Sequence, residues 1–178
     1  MCVFLCGMSV MKIESDREIH PLCLTIRTGK PLDLCVQGEG YFQVETQGQM
    51  HYTRHGRFFL NRKREVCWGV ENSEIVLSPI INIPYEASKV FVMRDGTVGV
   101  QSSDEGTLTL AGCIQLAKFE DPSELQNHKN GLCRRKESAT KQPHVQQPGY
   151  GSAGHIEQGF LETNLSPPGK RSTYLVMK

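Results

Sequence analysis

Val90-Phe91-Val92-Met93-Arg94-Asp95-Gly96-Thr97-Val98-Gly99-Val100 is the stretch that decides the fold class. Valines at 90, 92, 98 and 100 recur with a period of two, the signature of strands that bury one face. Asp95-Gly96 divides the two runs. An Asp-Gly pair between alternating apolar runs is the strongest short-range hairpin cue, because a type I′ turn needs positive φ at both central residues. The stretch therefore predicts two antiparallel strands joined by a tight turn.

Moving upstream, Leu32, Leu34 and Val36 alternate with Asp33, Cys35 and Gln37, which predicts a half-buried strand. Gly38-Glu39-Gly40 breaks it and Tyr41-Phe42-Gln43-Val44 resumes as a second strand. Gln47-Gly48-Gln49 reads as a turn into His51-Tyr52-Thr53-Arg54. His55-Gly56 breaks that strand before Phe58-Phe59-Leu60, and the polar run Asn61 to Arg64 turns the chain into Val66-Cys67-Trp68. Ile81 and Ile83 predict a further strand, which Pro84 confines to an edge or a bulge.

Downstream, a strand is expected from about Leu108 to Phe119. Asp121 as N-cap, Pro122 at the first helical position and Glu124 at the third predict one short helix near 121–129, ended by Asn130-Gly131. Lys141 to Gly154 is rich in Pro, Gly, Ser and Gln and reads as an extended loop; Ile156 to Leu161 reads as a last strand. Met11 to Ile19 has room for a turn or two of helix before Pro21 stops it. The expectation is a mainly β chain: a single β-rich domain of short antiparallel strands, sandwich or barrel-like, over 31–163. An irregular segment, 1–30, precedes it and an irregular tail, 164–178, follows.

Composition agrees and excludes several alternatives. The chain has 178 residues, enough for one ordinary domain, and 38% of them are hydrophobic. With 17 Gly and 9 Pro it carries more helix breakers than an all-helical bundle tolerates. Its 20 basic and 19 acidic residues leave a formal charge of +1, which excludes a histone-like nucleic-acid binder and an acidic solvating tail. No apolar run reaches the ~20 residues of a membrane span, so no membrane insertion is expected. Met1 to Met11 lacks a basic n-region and a small-x-small cleavage site, so no cleaved secretory signal is expected. The seven cysteines are odd in number and never spaced C-x-x-C. A zinc ribbon, a thioredoxin motif and a complete disulfide framework are thereby excluded, and the thiols are read as small hydrophobes.

Motifs for chemistry are sparse. His51 and His55 have the i, i+4 spacing of helical metal ligands, but they lie in an extended segment where four residues span about 13 Å. They cannot share an ion. His128, His144 and His155 have no Cys or carboxylate at ligand spacing, and no nucleophile elbow, P-loop or dinucleotide fingerprint occurs. The expectation is no catalytic residue, no metal, no cofactor and no small-molecule substrate. One alternative reading concerns Arg54, His55, Arg57, Arg62, Lys63 and Arg64, with Arg134-Arg135-Lys136 farther on. Beside them stand Tyr52, Phe58, Phe59 and Trp68, the ingredients of a β-barrel module that stacks single-stranded nucleic acid. The balanced charge favours the other reading, an exposed charged turn beside core aromatics, and hence no nucleic acid.

The motifs in order carry a resemblance. Thr28-Gly29-Lys30-Pro31-Leu32-Asp33-Leu34-Cys35-Val36-Gln37-Gly38-Glu39-Gly40-Tyr41-Phe42-Gln43-Val44 resembles the run that opens the β-rich domain of bacterial flagellar rod and hook proteins. Tyr52-Thr53-Arg54-His55-Gly56-Arg57-Phe58 is similar to their aromatic-Thr-Arg-x-Gly-x-Phe signature. Ile81 to Ala87 with Asp95-Gly96-Thr97-Val98, then Ile114 to Phe119, Pro122, Leu125, Pro148-Gly149 and Gln158 to Asn164 continue in the same order. The structural residues that the resemblance singles out are Leu32, Asp33, Gln37, Gly38, Gly40, Phe42, Thr53, Arg54, Gly56, Asp95, Gly96, Phe119, Gln158, Gly159, Leu161 and Asn164.

The resemblance, most pronounced to the distal-rod branch, implies a non-enzymatic building block of the basal-body rod that serves flagellar motility. Such a subunit is exported without a cleaved signal through the flagellum-specific channel. It stacks with copies of itself and with other rod and hook subunits. The resemblance also implies an amphipathic helix at each end. Residues 1–27 show no heptad pattern, and Pro167-Pro168 interrupt any helix after Asn164. The isolated chain is accordingly expected to be a soluble monomer that does not form tubes.

Overall fold

The computed structural model describes residues 25–69, 73–103 and 106–163. The expected helical turn at Met11 to Ile19, the tail 164–178 and Asn164 lie outside the described residues.

The chain is mainly β, and its strands pair antiparallel throughout. Asp33–Gln37 sits near one end of a long sheet, paired with His155–Gln158 on one side and with Gly56–Leu60 on the other. Asp33, Leu34, Cys35 and Val36 are all buried, so this strand is not half-exposed as its alternation suggests. A two-stranded ribbon, Thr25–Arg27 with Phe160–Glu162, packs against it. Sequence pattern misses Thr25–Arg27, because three residues are too few to display a period. The same sheet continues through Val66–Trp68, Val76–Leu77, Tyr41–Thr46, Gln49–Thr53, Cys133–Arg135 and Leu125–Asn127. Its ends do not pair with each other, so it is an open sheet and not a barrel.

The hairpin at the centre of the sequence is present, with Val92↔Val98 and Val90↔Val100 in register. Its turn differs from expectation. Gly96 has φ +83°, whereas Asp95 keeps a negative φ; Gly96 N donates to Met93 O at 3.0 Å and Met93 N to Thr97 O at 2.9 Å. This is the three-residue loop with a glycine bulge. The two-residue loop with positive φ at both positions occurs instead at Gln47 (+52°) and Gly48 (+72°), between Thr46 and its partner Gln49. Ala87–Val92 and Leu108–Cys113 flank Thr97–Ser102 in a separate three-stranded sheet.

Three further expectations are corrected. Ile81 and Ile83 are buried but form no strand: one bridge, Glu65↔Asn82, is all the pairing there, with Pro84 next to it unable to donate. The strand expected over Leu108 to Phe119 splits. After Cys113 the chain leaves the small sheet, and Leu116–Lys118 joins the long one beside Tyr41 and Phe42, with His144–Gln146 on its other side. No α-helix forms near 121–129. Asp121 caps as foreseen, its side chain accepting from Ser123 N, but only the 3-10 turn Pro122–Glu124 follows. Leu125 then turns inward and Leu125–Asn127 pairs with Cys133–Arg135, so tertiary pairing overrides the local helix signal.

The core lies where the sheets meet. Leu34, Val36, Phe42, Phe58, Trp68, Leu77, Ile81, Ile114 and Ile156 form the main cluster. Tyr52, Ala117, Phe119, Leu125 and Cys133 form a second, smaller one. No helix among the described residues is long and apolar enough to cross a membrane.

Candidate functional site

Arg54 ends the Gln49–Thr53 strand and turns inward. Its Nη2 donates to Val36 O at 2.7 Å, and its Nη1 to Gly38 O at 2.8 Å and Gly40 O at 2.7 Å. Its Nε donates to Glu162 Oε2 at 3.0 Å. Four acceptors surround one planar guanidinium, an arrangement that the point charge of a lysine could not serve. The loop that presents the three carbonyls depends on glycine. Gly38 and Gly40 have φ of +106° and +121°, and a Cβ on Gly38 would lie 2.9 Å from Gly154 Cα. The ion pair is secluded: the Arg54 and Glu162 side chains are 18% and 10% exposed.

Around this node lie most of the residues singled out from sequence. Thr53 Oγ1 donates to Gly131 O at 3.1 Å and accepts from His55 N at 3.0 Å. A Cβ on Gly56 would come within 1.8 Å of Leu34 O, so the two strands close only over a glycine. Phe42 meets Phe58 edge-to-face at 5.1 Å. Gly159, at φ +82°, donates to Asp33 O at 2.7 Å and accepts from Thr28 N and Gly29 N. Gln158 Nε2 donates to both Pro31 O and Val90 O, and Leu161 is buried opposite Ile26. Leu32 packs at the edge of the main core. Gln37 donates to Glu157 at 3.4 Å.

A family model described as Flagellar hook protein FlgE/F/G D1 domain matches residues 35–100, the span that holds Arg54, its carbonyl loop and the central hairpin. The flagellar basal-body rod protein FlgG of Buchnera aphidicola subsp. Baizongia pistaciae is 30% identical over 162 residues, covering 90% of this chain and 60% of its own length. FlgG of Bacillus subtilis is 30% identical over 145 residues (81% and 54%), and FlgG of Agrobacterium fabrum is 29% identical over 171 residues (96% and 63%). Over most of its length the chain is similar to flagellar basal-body rod proteins, and over residues 35–100 to the rod and hook D1 domain. It spans about 60% of the length of the curated relatives it matches.

Other residues of the family pattern lie apart from the Arg54 node. Asp95 and Gly96 form the hairpin turn, where Thr97 N donates to Asp95 Oδ1 at 3.0 Å and holds that carboxyl below its ordinary range. Phe119 sits in the second core, edge-to-face with Tyr52 at 4.8 Å and with Tyr41 at 5.9 Å. Asp33 is buried and its Oδ2 has no hydrogen-bond partner. Glu162 was not singled out from sequence, although it completes the Arg54 node; a glutamate in a short strand carries no local sign of a buried partner.

Electrostatics at the node are those of a sealed joint. Burial, with Glu157 and Glu162 nearby, pushes the Cys35 thiol up to about 11 despite Arg54. Burial and the neighbouring Arg57 hold His55 below its ordinary range, against the pull of Asp33. Among the described residues no group of three or more His, Cys, Asp or Glu is placed to hold a metal.

The basic and aromatic cluster does not assemble into a stacking platform. Arg54 points inward, and Tyr52, Phe58 and Trp68 are buried. Arg64 is tied to Ile83 O and Pro84 O. Arg57, Arg62 and Lys63 remain exposed, whereas those three aromatics are buried. The nucleic-acid reading therefore has no support in the geometry.

Proposed function

We propose that this chain is a structural subunit of the bacterial flagellar basal-body rod, a β-built brick serving flagellum assembly, torque transmission and motility. The single observation that carries the reading is the alignment of nearly the whole chain with proteins named flagellar basal-body rod protein. Geometry supports it. The residues that the resemblance singles out join strands and loops to one another, as the Arg54 node does. A sheet cross-linked by ladder bonds and buried polar ties resists twisting better than loosely joined elements, which is what a drive shaft needs.

The partners in this reading are copies of the chain and other rod and hook subunits, distal-rod members first. The site of action is the basal body, reached by flagellar export without a cleaved signal. Residues 31–163 are the core domain, fastened to the preceding Thr25–Arg27 strand. The test is to tag the chain in its native host, purify intact hook–basal bodies and assay them by mass spectrometry. The tagged chain should co-purify with the rod after high-salt washing. Its absence from bodies that contain every other rod subunit would overturn the reading.

A further inference from the structure

His51 and His128, far apart in sequence, place their imidazole rings 5.2 Å apart, centre to centre, at 43° to one another. His51 lies in the Gln49–Thr53 strand and is 3% exposed. His128 is exposed and precedes the 3-10 turn Lys129–Gly131. Tertiary pairing brings them together. Cys133 pairs with Tyr52, and Thr53 Oγ1 donates to Gly131 O, which folds the 128–132 segment over the strand. Both rings line a pocket of about 210 Å³.

The tautomer of His51 follows from its partner. Its Nδ1 lies 3.1 Å from Gln49 O, and a carbonyl oxygen can only accept, so Nδ1 carries the proton. In the neutral ring this leaves Nε2 as a lone-pair donor. A backbone carbonyl fixing one ring nitrogen is the usual outer-shell support of a metal-binding histidine. The ring spacing fits as well. Metal–nitrogen bonds of about 2.0–2.1 Å, at a tetrahedral angle, would put two imidazole centres about 5 Å apart.

We propose that His51 and His128 form a two-imidazole site for a divalent transition metal of the Zn²⁺, Co²⁺ or Ni²⁺ class. Imidazole suits these ions, and water fills the remaining positions because no third His, Cys, Asp or Glu joins the pair among the described residues. The bound ion staples the 128–132 turn to the Gln49–Thr53 strand. Lys129, on the same pocket, opposes the added positive charge.

The seven cysteines compete for the same ions, so the test must identify nitrogen ligation. The full chain, kept reduced with a phosphine, is titrated with Co²⁺. Absorption and proton NMR are followed for the wild type, His128→Gln and Lys129→Gln. His128 is exposed, so its replacement leaves the fold intact, as circular dichroism will verify. The expected result is one equivalent bound, with two paramagnetically shifted histidine N–H signals and no thiolate charge-transfer band accompanying them. Binding should weaken about tenfold or more in His128→Gln and tighten in Lys129→Gln. No binding, equal affinity in His128→Gln, or cobalt signals arising wholly from thiolates would each overturn the proposal.

Discussion

Arg54 Nε and Glu162 Oε2 meet at 3.0 Å although 108 positions separate them in the chain. The contact joins the end of one strand of the long sheet to the ribbon that packs beside that sheet, and the other guanidinium nitrogens draw in the 36–40 loop at the same point. A secluded ion pair is by itself weak evidence for stability, because desolvation offsets the attraction. Here three of the four remaining N–H donors of the guanidinium are met by carbonyls, the kind of added hydrogen bonding under which such a pair holds its geometry.

Arg54→Ala should therefore lower unfolding stability by about 3–5 kcal/mol, because it strands a secluded carboxylate and three carbonyls. Arg54→Lys keeps the charge yet cannot reach four acceptors, so its loss should be intermediate. The double variant Arg54→Met, Glu162→Leu should lose less than the sum of the two single changes. Urea unfolding of the wild type, Arg54→Met, Glu162→Leu and the double variant measures the coupling, and additive losses would mean that the pair does not act as a unit.

Space, and not backbone conformation, sets the second prediction. A Cβ at Gly56 would stand 1.8 Å from Leu34 O and 2.9 Å from the Phe42 ring, whereas one at Gly48, with φ +72°, would touch nothing within 4 Å. Gly48→Ala should cost about 1 kcal/mol from positive φ alone. Gly56→Ala should cost about 3 kcal/mol or more, because the Leu34–Gly56 pairing must open. Thermal unfolding of the two variants side by side checks the order.

What could be read from sequence depended on how local the cause was. The Val90–Val100 hairpin was legible because both strands and their turn lie within eleven consecutive residues. Its turn type was not, since Asp-Gly serves both the two-residue loop and the glycine-bulged one, and strand register chooses between them. Asp121, Pro122 and Glu124 spelled a helix start correctly, but the pairing of Leu125–Asn127 with Cys133–Arg135 ended it after one turn. Arg54 belonged to an apparently basic surface run. Only the approach of residues 36–40 and Glu162 makes it an inward clamp, and no feature within Arg54's own neighbourhood records that. The meeting of His51 with His128 is equally non-local.

Alkaline sensitivity is the third prediction. The Cys35 thiol has its folded pKa raised to about 11 from an ordinary 9.0, by burial and then by Glu157 and Glu162. The native state thus holds this proton more tightly than the unfolded chain. The resulting stability is complete below pH 9.0 and is lost as pH rises towards about 11. Tyr41 and Tyr52 are shifted upward by burial too, so they add loss in the same direction. Unfolding midpoints recorded from pH 8 to pH 11 should fall, and Cys35→Ala should show a shallower fall than the wild type. An unchanged slope would contradict the assignment.

The last prediction concerns the joint between the two sheets. Gln158 spends both N–H groups of its carboxamide, one on Pro31 O at 2.8 Å and one on Val90 O at 2.9 Å, and Ile156 N donates to Arg94 O close by. The side chain thus links the start of the long sheet to the hairpin. Gln158→Ala removes that link and should cost about 1 kcal/mol, the usual net worth of such bonds at a partly exposed site. Gln158→Glu should cost more, since a carboxylate cannot donate and would face two carbonyl oxygens. Hydrogen exchange separates a local effect from a general one. Amides of Ala87–Val92 should exchange faster in both variants, while those of Gln49–Thr53, on the other side of the Arg54 clamp, keep their wild-type protection. A uniform rise across both strands would mean that Gln158 supports the whole fold and does not specifically couple the sheets. In the proposed rod subunit that distinction would matter, because twist would pass from one sheet to the other only as far as the joint between them is stiff.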